Sequence, residues 1–197
     1  MIAVEGLTIR RATLADLDQL LAWRMEVLHA VFVDADARGD VDWDALREAN
    51  RAYYLHTLGG GDEPARPSEP SQPARHDARA LGGGDEPDQV ASCDACPGHI
   101  ACFAELDGEP VACGSICLQE ELPSPDNPSG RCAYLMNMYT RPAHRGKGIA
   151  AAIVDHVVDQ AKRAGAGKIY LETTPAGRGV YERAGFVDLP DMMKLEN

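Results

Sequence analysis

The segment from Arg141 to Ala150, Arg-Pro-Ala-His-Arg-Gly-Lys-Gly-Ile-Ala, contains the residue types and spacing that point most directly to chemistry. Gly146 and Gly148 come just before a helical pattern, so the backbone N–H groups of this turn meet the positive end of a helix dipole. Glycines also remove side chains that would block a close approach. The turn adds a histidine, an arginine and a lysine to a chain of formal net charge −12. It therefore indicates a site for a small polyanionic ligand that carries phosphate groups.

Two common phosphate-binding loops do not fit this turn. A P-loop has the pattern Gly-x-x-x-x-Gly-Lys followed by Ser or Thr, whereas Lys147 is followed by Gly148. A dinucleotide fingerprint needs Gly-x-Gly-x-x-Gly, and Ala151 occupies the position of its third glycine. The turn therefore belongs to another class of phosphate-binding loop.

Hydrophobic periodicity predicts the elements that must position this turn. Thr13, with Asp16 three residues later, is the expected N-terminal cap of the first helix. The inner face of the second helix is expected to carry Leu46, Ala49, Tyr53 and Leu55. In chain order, the predicted elements are strand 5–11, helix 13–28, helix 43–58, strands 99–106 and 109–119 with an Asp107-Gly108 hairpin turn, strand 132–140, helix 149–163, strand 168–174, helix 178–184, and candidate closing strands 186–189 and 192–195.

Residues 59–92 differ sharply in composition from the segments on either side. They contain six glycines, five prolines and no aromatic residue, and the heptapeptide of residues 58–64 recurs at 81–87. Such a segment cannot bury enough apolar surface to offset the entropy lost on ordering. We therefore expect a flexible insertion at about residues 59–98 within a single domain that spans residues 1–197.

Two motifs in the second half of the chain resemble those of the GCN5-related N-acetyltransferase (GNAT) family. Residues 145–150 match the acetyl-CoA-binding pattern Arg/Gln-x-x-Gly-x-Gly/Ala, and residues 181–186 match the pattern Tyr-x-x-x-Gly-Phe. The order of predicted elements also matches, over nearly the whole chain except the insertion. The resemblance implies an α/β fold whose central sheet is mixed, mostly antiparallel and twisted. Helices would flank this sheet, and a splay between two central strands would admit the cofactor.

The same resemblance implies roles for particular residues. The strand 132–140 would lie along the pantetheine arm of acetyl-CoA, and the Met138 N–H would polarise the thioester carbonyl. Tyr181 would protonate the departing thiolate, although a tyrosine here could instead serve only as a core aromatic that packs beside Phe186. The residues expected to contact acetyl-CoA are Met138, Tyr139, Thr140, Arg145, Gly146, Lys147, Gly148, Ile149 and Ala150.

An attacking amine must lose a proton, because a lysine-like amine has a pKa of about 10.4. The candidate bases are Glu120, Glu121, Glu172 and Glu26, and nothing in the sequence singles out one of them. We take Glu120 and Glu172 as the catalytic candidates alongside Tyr181. The chain also departs from many relatives, since the stretch 173–178 lacks the asparagine that contacts the cofactor there. Thr174 or a backbone group replaces that contact, or the contact is absent.

Cys93, Cys96, His99 and Cys102 are spaced at intervals of three residues and could be read as zinc ligands. The second half of this set is too tight for usual zinc ribbons. His99 and Cys102 also fall on opposite faces of a predicted strand, because side chains alternate with a period of two. We therefore expect no metal in this protein.

The composition limits the classes of function. With 31 acidic and 19 basic residues among 197, the surface is unsuited to nucleic acid and to anionic membranes. The first fourteen residues lack an apolar core and cleavage site, so we expect a cytoplasmic protein. The expected activity is direct acetyl transfer from acetyl-CoA to a small amine. The alternatives are a non-catalytic acetyl-CoA-binding regulatory module and a protein or peptide N-acetyltransferase, and a homodimer is left open.

Overall fold

The computed structural model describes residues 4–33, 39, 41–59, 98–190, 192, 193 and 195. Its strands are β1 (Leu7–Arg11), β2 (His99–Leu106), β3 (Glu109–Glu120), β4 (Arg131–Thr140) and β5 (Lys168–Leu171). Its helices are α1 (Leu17–Val31), α2 (Trp43–Gly59), α3 (Ile149–Arg163) and α4 (Arg178–Arg183), with short 3₁₀ helices at Leu14–Asp16 and Pro142–His144. Most of the predicted insertion lies outside the described residues. No helix in the described ranges is both long and apolar enough to cross a membrane.

The five strands form one sheet in the order β1-β2-β3-β4-β5. Neighbouring strands are antiparallel except β4 and β5, which run parallel. The two central clusters of buried side chains lie on opposite faces of this sheet, one under α3 and the other under α1 and α2. The predicted mixed, mostly antiparallel sheet flanked by helices is therefore confirmed.

The strands β4 and β5 separate before β4 ends. Their pairing runs only from Cys132 opposite Lys168 to Leu135 opposite Leu171, whereas β4 continues to Thr140. Among the described residues, the second half of β4 therefore has no strand beside it on that edge. This opening is the predicted splay.

A β-bulge lies in the same half of β4. Ser115 is opposite Met136 and Cys113 is opposite Tyr139, so two residues of β4 oppose the single residue Gly114. Asn137, within the bulge, has a φ of +53°, a conformation that asparagine tolerates better than most residues. Its buried side-chain amide donates a hydrogen bond to the hydroxyl of Tyr54 at 3.0 Å. This hydrogen bond connects the bulge to α2, on the face of the sheet opposite to α3.

The predicted inner face of α2 is partly wrong. Tyr54 is buried and Leu46 is half-buried, but Ala49, Tyr53 and Leu55 are exposed. The buried stripe passes instead through the polar Asn50, whose side-chain oxygen accepts a hydrogen bond from Arg24 Nε of α1 at 3.2 Å. Because this stripe contains a hydrogen-bonded polar residue, the hydrophobic pattern alone places the buried face of α2 at the wrong angle around the helix axis.

The predicted end of the sheet is also wrong. β5 ends at Leu171 rather than at residue 174, and no strand forms over 186–189 or at the described positions of 192–195. Val187 is 88% exposed, and Pro190 has no N–H with which to join a ladder. The chain turns after β5, where the Gly177 N–H donates to the Thr174 carbonyl at 3.0 Å.

Candidate active site

A cleft of about 1320 Å³ opens at the splay and is lined from both faces of the sheet. One wall comes from the second half of α1, on the face that α1 and α2 cover. The other wall comes from the turn before α3 and from the first turn of α3 itself. The second half of β4 and the segment 174–183 complete the cleft. A ligand can therefore extend between the two faces of the sheet along β4.

The turn before α3, residues 145–148, is called the glycine turn below and has the geometry that the sequence predicts for an anion site. Gly146 and Gly148 have φ values of +75° and +83°, and Gly148 is the N-terminal cap of α3. The first turn of α3 contains no acidic residue, and its first N–H groups have no partner within the helix. Arg145 Nε donates to the Thr140 carbonyl at 3.0 Å. This contact ties the turn to the end of β4.

The structure brings most of the predicted cofactor-binding residues together. Lys147 is the one that does not line the cleft, and Thr174 does line it. The Nδ1 atom of His144, another cleft residue, is buried without a hydrogen-bond partner among the described residues. The predicted contacts found on the cleft wall are Met138, Tyr139, Thr140, Arg145, Gly146, Gly148, Ile149 and Ala150.

Tyr181 lies on the wall of the cleft that α4 contributes. Its ring is half-buried and meets Phe186 edge-on, with ring centroids 6.0 Å apart. Its hydroxyl has no hydrogen-bond partner in the part of the chain that the structure describes. Burial raises the pKa of this phenol, so the hydroxyl keeps its proton at neutral pH.

The two predicted glutamate bases lie outside the residues that line the cleft. Glu120 is exposed at the end of β3, opposite Arg131. Met138 is seven positions further along β4 than Arg131, a distance of about 23 Å at about 3.3 Å per residue. Glu172 is exposed just after β5. Burial of Tyr134 is the main cause of the raised pKa of that phenol, and the negative charge of Glu172 is the second cause. The structure therefore does not bring these carboxylates into the cleft with Tyr181.

A pair that the sequence did not predict lies on the α1 wall. The Tyr139 hydroxyl donates to Glu26 Oε2 at 2.5 Å, and the Tyr139 ring stacks on Trp23 with centroids 4.9 Å apart. Burial and the carboxylate raise the pKa of Tyr139 to about 12. Trp23 and Glu26 are three residues apart and so share one face of α1. No local pattern indicates that this face meets the Tyr139 side chain, which lies 113 positions further along the chain.

His99 and Cys102 lie on opposite faces of the sheet, as predicted. Cys102 packs in the cluster under α3, whereas His99 Nδ1 is 3.0 Å from the Tyr53 hydroxyl on the other face. Cys93 and Cys96 are outside the described residues. Within the described ranges, no group of three or more His, Cys, Asp or Glu side chains could hold a metal ion.

Comparison with known proteins identifies similar chains. One curated relative, the uncharacterized N-acetyltransferase YjgM of Escherichia coli (strain K12), is 37% identical over 93 residues, which are 46% of this chain and 52% of that protein. The chain thus matches about half the length of this relative. A solved structure of a predicted acetyltransferase with acetyl-CoA from Clostridium acetobutylicum aligns with a TM-score of 0.67 and 23% identity over 96% of both chains.

A GCN5-related N-acetyltransferase from Ralstonia eutropha JMP134 aligns with a TM-score of 0.69 and 20% identity, over 97% of this chain and 99% of that one. At such identities the two structures support the fold. The sequence pattern of the acetyltransferase (GNAT) family matches residues 43–186. That range includes the glycine turn, the splayed strands and Tyr181. The chain is therefore a member of the GNAT family of acetyltransferases.

Proposed function

We propose that the protein is an acetyl-CoA-dependent N-acetyltransferase that acetylates a primary amine of a small molecule by direct attack. The observation that carries this proposal is the cleft at the splay, in which the glycine turn and the second half of β4 line one continuous space. Family membership and the acetyl-CoA present in the Clostridium acetobutylicum structure support the choice of donor.

The residues of the turn suit the diphosphate part of coenzyme A. Backbone N–H groups between Gly146 and Ala150 would hold the phosphates, and Arg145 adds a positive charge beside them. The unpaired Nδ1 of His144 offers a further polar contact on the same wall. Lys147 would act from outside the cleft as a nearby charge. When bound, acetyl-CoA supplies an activated thioester.

The bulge in β4 and the phenol of Tyr181 would carry out the polar chemistry. A bulge leaves one residue without its ladder partner, so the Met138 N–H would be free to donate to the thioester oxygen as charge develops there. Tyr181, kept protonated by burial, would give its proton to the departing sulfur. The catalytic roles of Glu120 and Glu172 stay predictions, as do a cytoplasmic location and a homodimer.

Two measurements test the proposal. Calorimetric titration should show that the protein binds acetyl-CoA. Release of free CoA should then be followed with n-butylamine, 1,4-diaminobutane, benzylamine and an unacetylated tetrapeptide as acceptors. We expect CoA release that depends on a small amine. Binding without release by any acceptor would instead favour a regulatory acetyl-CoA-binding module, and release with the peptide alone would favour a peptide acetyltransferase.

A further inference from the structure

We infer that Glu26, oriented by Tyr139, is a specificity-determining residue that binds an ammonium group of the acceptor other than the amine that is acetylated, since the attacking nitrogen must be neutral. This inference rests on the proposed function and narrows the acceptor to a small molecule that carries a second amino group. Glu26 lies on α1, and its side chain forms part of the cleft wall. The inference depends on three features, which are the charges of the cleft, the free oxygen of the carboxylate and its position relative to β4.

The cleft has an uneven distribution of charge. Among the described residues that line it, Glu26 is the one carboxylate, whereas Arg145 and Arg183 are cationic. Arg145 belongs to the glycine turn and Arg183 to α4, and both suit an anionic donor. Glu26 comes from the other face of the sheet. A cationic acceptor and an anionic donor would therefore be attracted to different ends of the same cleft.

The carboxylate of Glu26 is positioned and still has room for a ligand. Its Oε2 accepts the hydrogen bond from Tyr139, and the stacking of that ring on Trp23 fixes the direction of the phenol. A carboxylate can accept several hydrogen bonds, and Oε1 of Glu26 has no partner among the described residues. Since the residue is exposed, an ammonium group can reach this oxygen from the cleft.

The location relative to the expected reaction centre is also suitable. Tyr139 directly follows Met138, the residue whose N–H we expect to contact the thioester oxygen. The Tyr139 ring packs with the cluster under α1 and α2, while the Met138 side chain packs with the cluster under α3. An acceptor held at Glu26 by its second ammonium group would therefore approach from the face opposite to the glycine turn. The donor and the acceptor would enter the splay from opposite sides.

The test compares two variants that each remove one negative charge from α1. Glu26→Gln keeps an oxygen that can accept the Tyr139 hydrogen bond, so a purely structural role would survive. Asp18→Asn is the matched control, because Asp18 is exposed and does not line the cleft. Steady-state CoA release should be measured with 1,4-diaminobutane and with n-butylamine, which lacks a second amino group, and acetyl-CoA affinity should be measured by calorimetry.

For Glu26→Gln we expect KM for 1,4-diaminobutane to rise about tenfold, as the loss of a hydrogen bond to a charged group predicts, and KM for n-butylamine to stay within about twofold. The kcat and the acetyl-CoA affinity should stay within about twofold of the wild type, and Asp18→Asn should match the wild type throughout. An unchanged KM for 1,4-diaminobutane, or a fall in kcat alone, would overturn the inference while leaving the proposed function intact. Absence of turnover by the wild type with every amine would overturn the proposed function, and this inference with it.

Discussion

At the scale of the residue, Tyr181 is the side chain on which the proposed proton transfer depends. Tyr181→Phe keeps the ring that meets Phe186 edge-on and removes only the hydroxyl. We expect kcat to fall by about 10²-fold, at the lower end for general acid catalysis because the side chain is only half-buried. Acetyl-CoA affinity, measured by calorimetry, should be nearly unchanged.

The kinetic pattern separates this role from simpler ones. Full turnover in the variant would mean that Tyr181 only packs against Phe186. A rise in KM for acetyl-CoA with constant kcat would mean that it positions the donor. A pre-steady-state burst of product should be checked first, because slow product release would hide a loss in the chemical step.

The residues of the site differ in how well the sequence predicts them. The glycine turn is predictable because its chemistry comes from consecutive backbone groups, which a local motif specifies fully. The Tyr139–Glu26 contact joins residues 113 positions apart, and only the packing of α1 on β4 brings them together. The bulge at Asn137 has a weak local signal, an asparagine within a strand, since asparagine tolerates positive φ.

At the scale of the element, the turn before α3 allows a comparison between two glycines of equal strain. Gly148 and Gly108 both have a φ of +83°, but Gly148 lines the cleft and Gly108 lies in the β2–β3 hairpin turn. Gly148→Val and Gly108→Val should lose similar stability, about 1–2 kcal/mol for a left-handed conformation. Only Gly148→Val should lose acetyl-CoA binding, because its side chain would occupy the approach to the backbone N–H groups.

Chemical denaturation and calorimetry on both variants provide the measurement. Equal acetyl-CoA affinities for the two variants would contradict the assignment of this turn to the phosphate groups. A large loss of stability in Gly148→Val alone would show that the turn contributes to the fold beyond its backbone conformation.

The contact between β2 and α2 makes stability depend on pH. Burial and the nearby Arg24 lower the pKa of His99 to about 4, whereas an unfolded histidine titrates near 6.5. Between these values the unfolded chain binds more protons than the native one. The contribution of neutral His99 is therefore complete above about pH 6.5 and is lost as pH falls toward about 4.

A shift of this size corresponds to roughly 3 kcal/mol in the free energy of unfolding. His99→Phe should remove that dependence. The free energy of unfolding, measured by urea denaturation between pH 7 and pH 4.5, should therefore change less steeply with pH than it does in the wild type. His56→Phe, at an exposed histidine of α2, is the control and should keep the wild-type slope. If the free energy of unfolding changed equally with pH in His99→Phe and in the wild type, His99 would not be the source of the pH dependence.

The elements themselves were predictable to different degrees. α3 has a continuous apolar stripe, and Ile149, Ile153 and Val157 are all buried as expected. The range predicted for α2 is correct but its predicted inner face is partly wrong, because a hydrogen bond from Arg24 allows Asn50 on its inner stripe. The apolar residues after Phe186 resemble strands, yet strand formation depends on a partner that no local pattern reveals.

At the scale of the whole molecule, the charge of the protein and the charge of its cleft differ. The chain has a formal net charge of −12, but the described part of the glycine-turn wall presents Arg145 and no carboxylate. An anionic donor is therefore attracted locally in spite of general repulsion. The same acidic surface favours the approach of a cationic amine, in agreement with the charge inferred at Glu26.

The segment between α2 and β2 is expected to be dispensable for folding and for acetyl-CoA binding, because its composition provides too little apolar surface for a core. α2 ends at Gly59 and β2 begins at His99, and the described members of both buried clusters come from the elements on either side of this segment. Deleting residues 60–90 and inserting a four-residue linker should leave acetyl-CoA affinity unchanged. The free energy of unfolding should rise by about 1 kcal/mol if the connection is flexible, as its composition predicts, because each halving of such a connection saves about 0.6 kcal/mol of closure entropy.

A variant in which residues 60–90 are scrambled at constant composition is the matched control and should behave like the wild type. Thermal unfolding and calorimetric titration with acetyl-CoA measure the two quantities. If the deletion lowered the melting temperature while the scrambled variant did not, the length or composition of this segment, and not the order of its residues, would matter to the fold. If both variants lost acetyl-CoA affinity at wild-type stability, the segment would contribute specific contacts to the donor site.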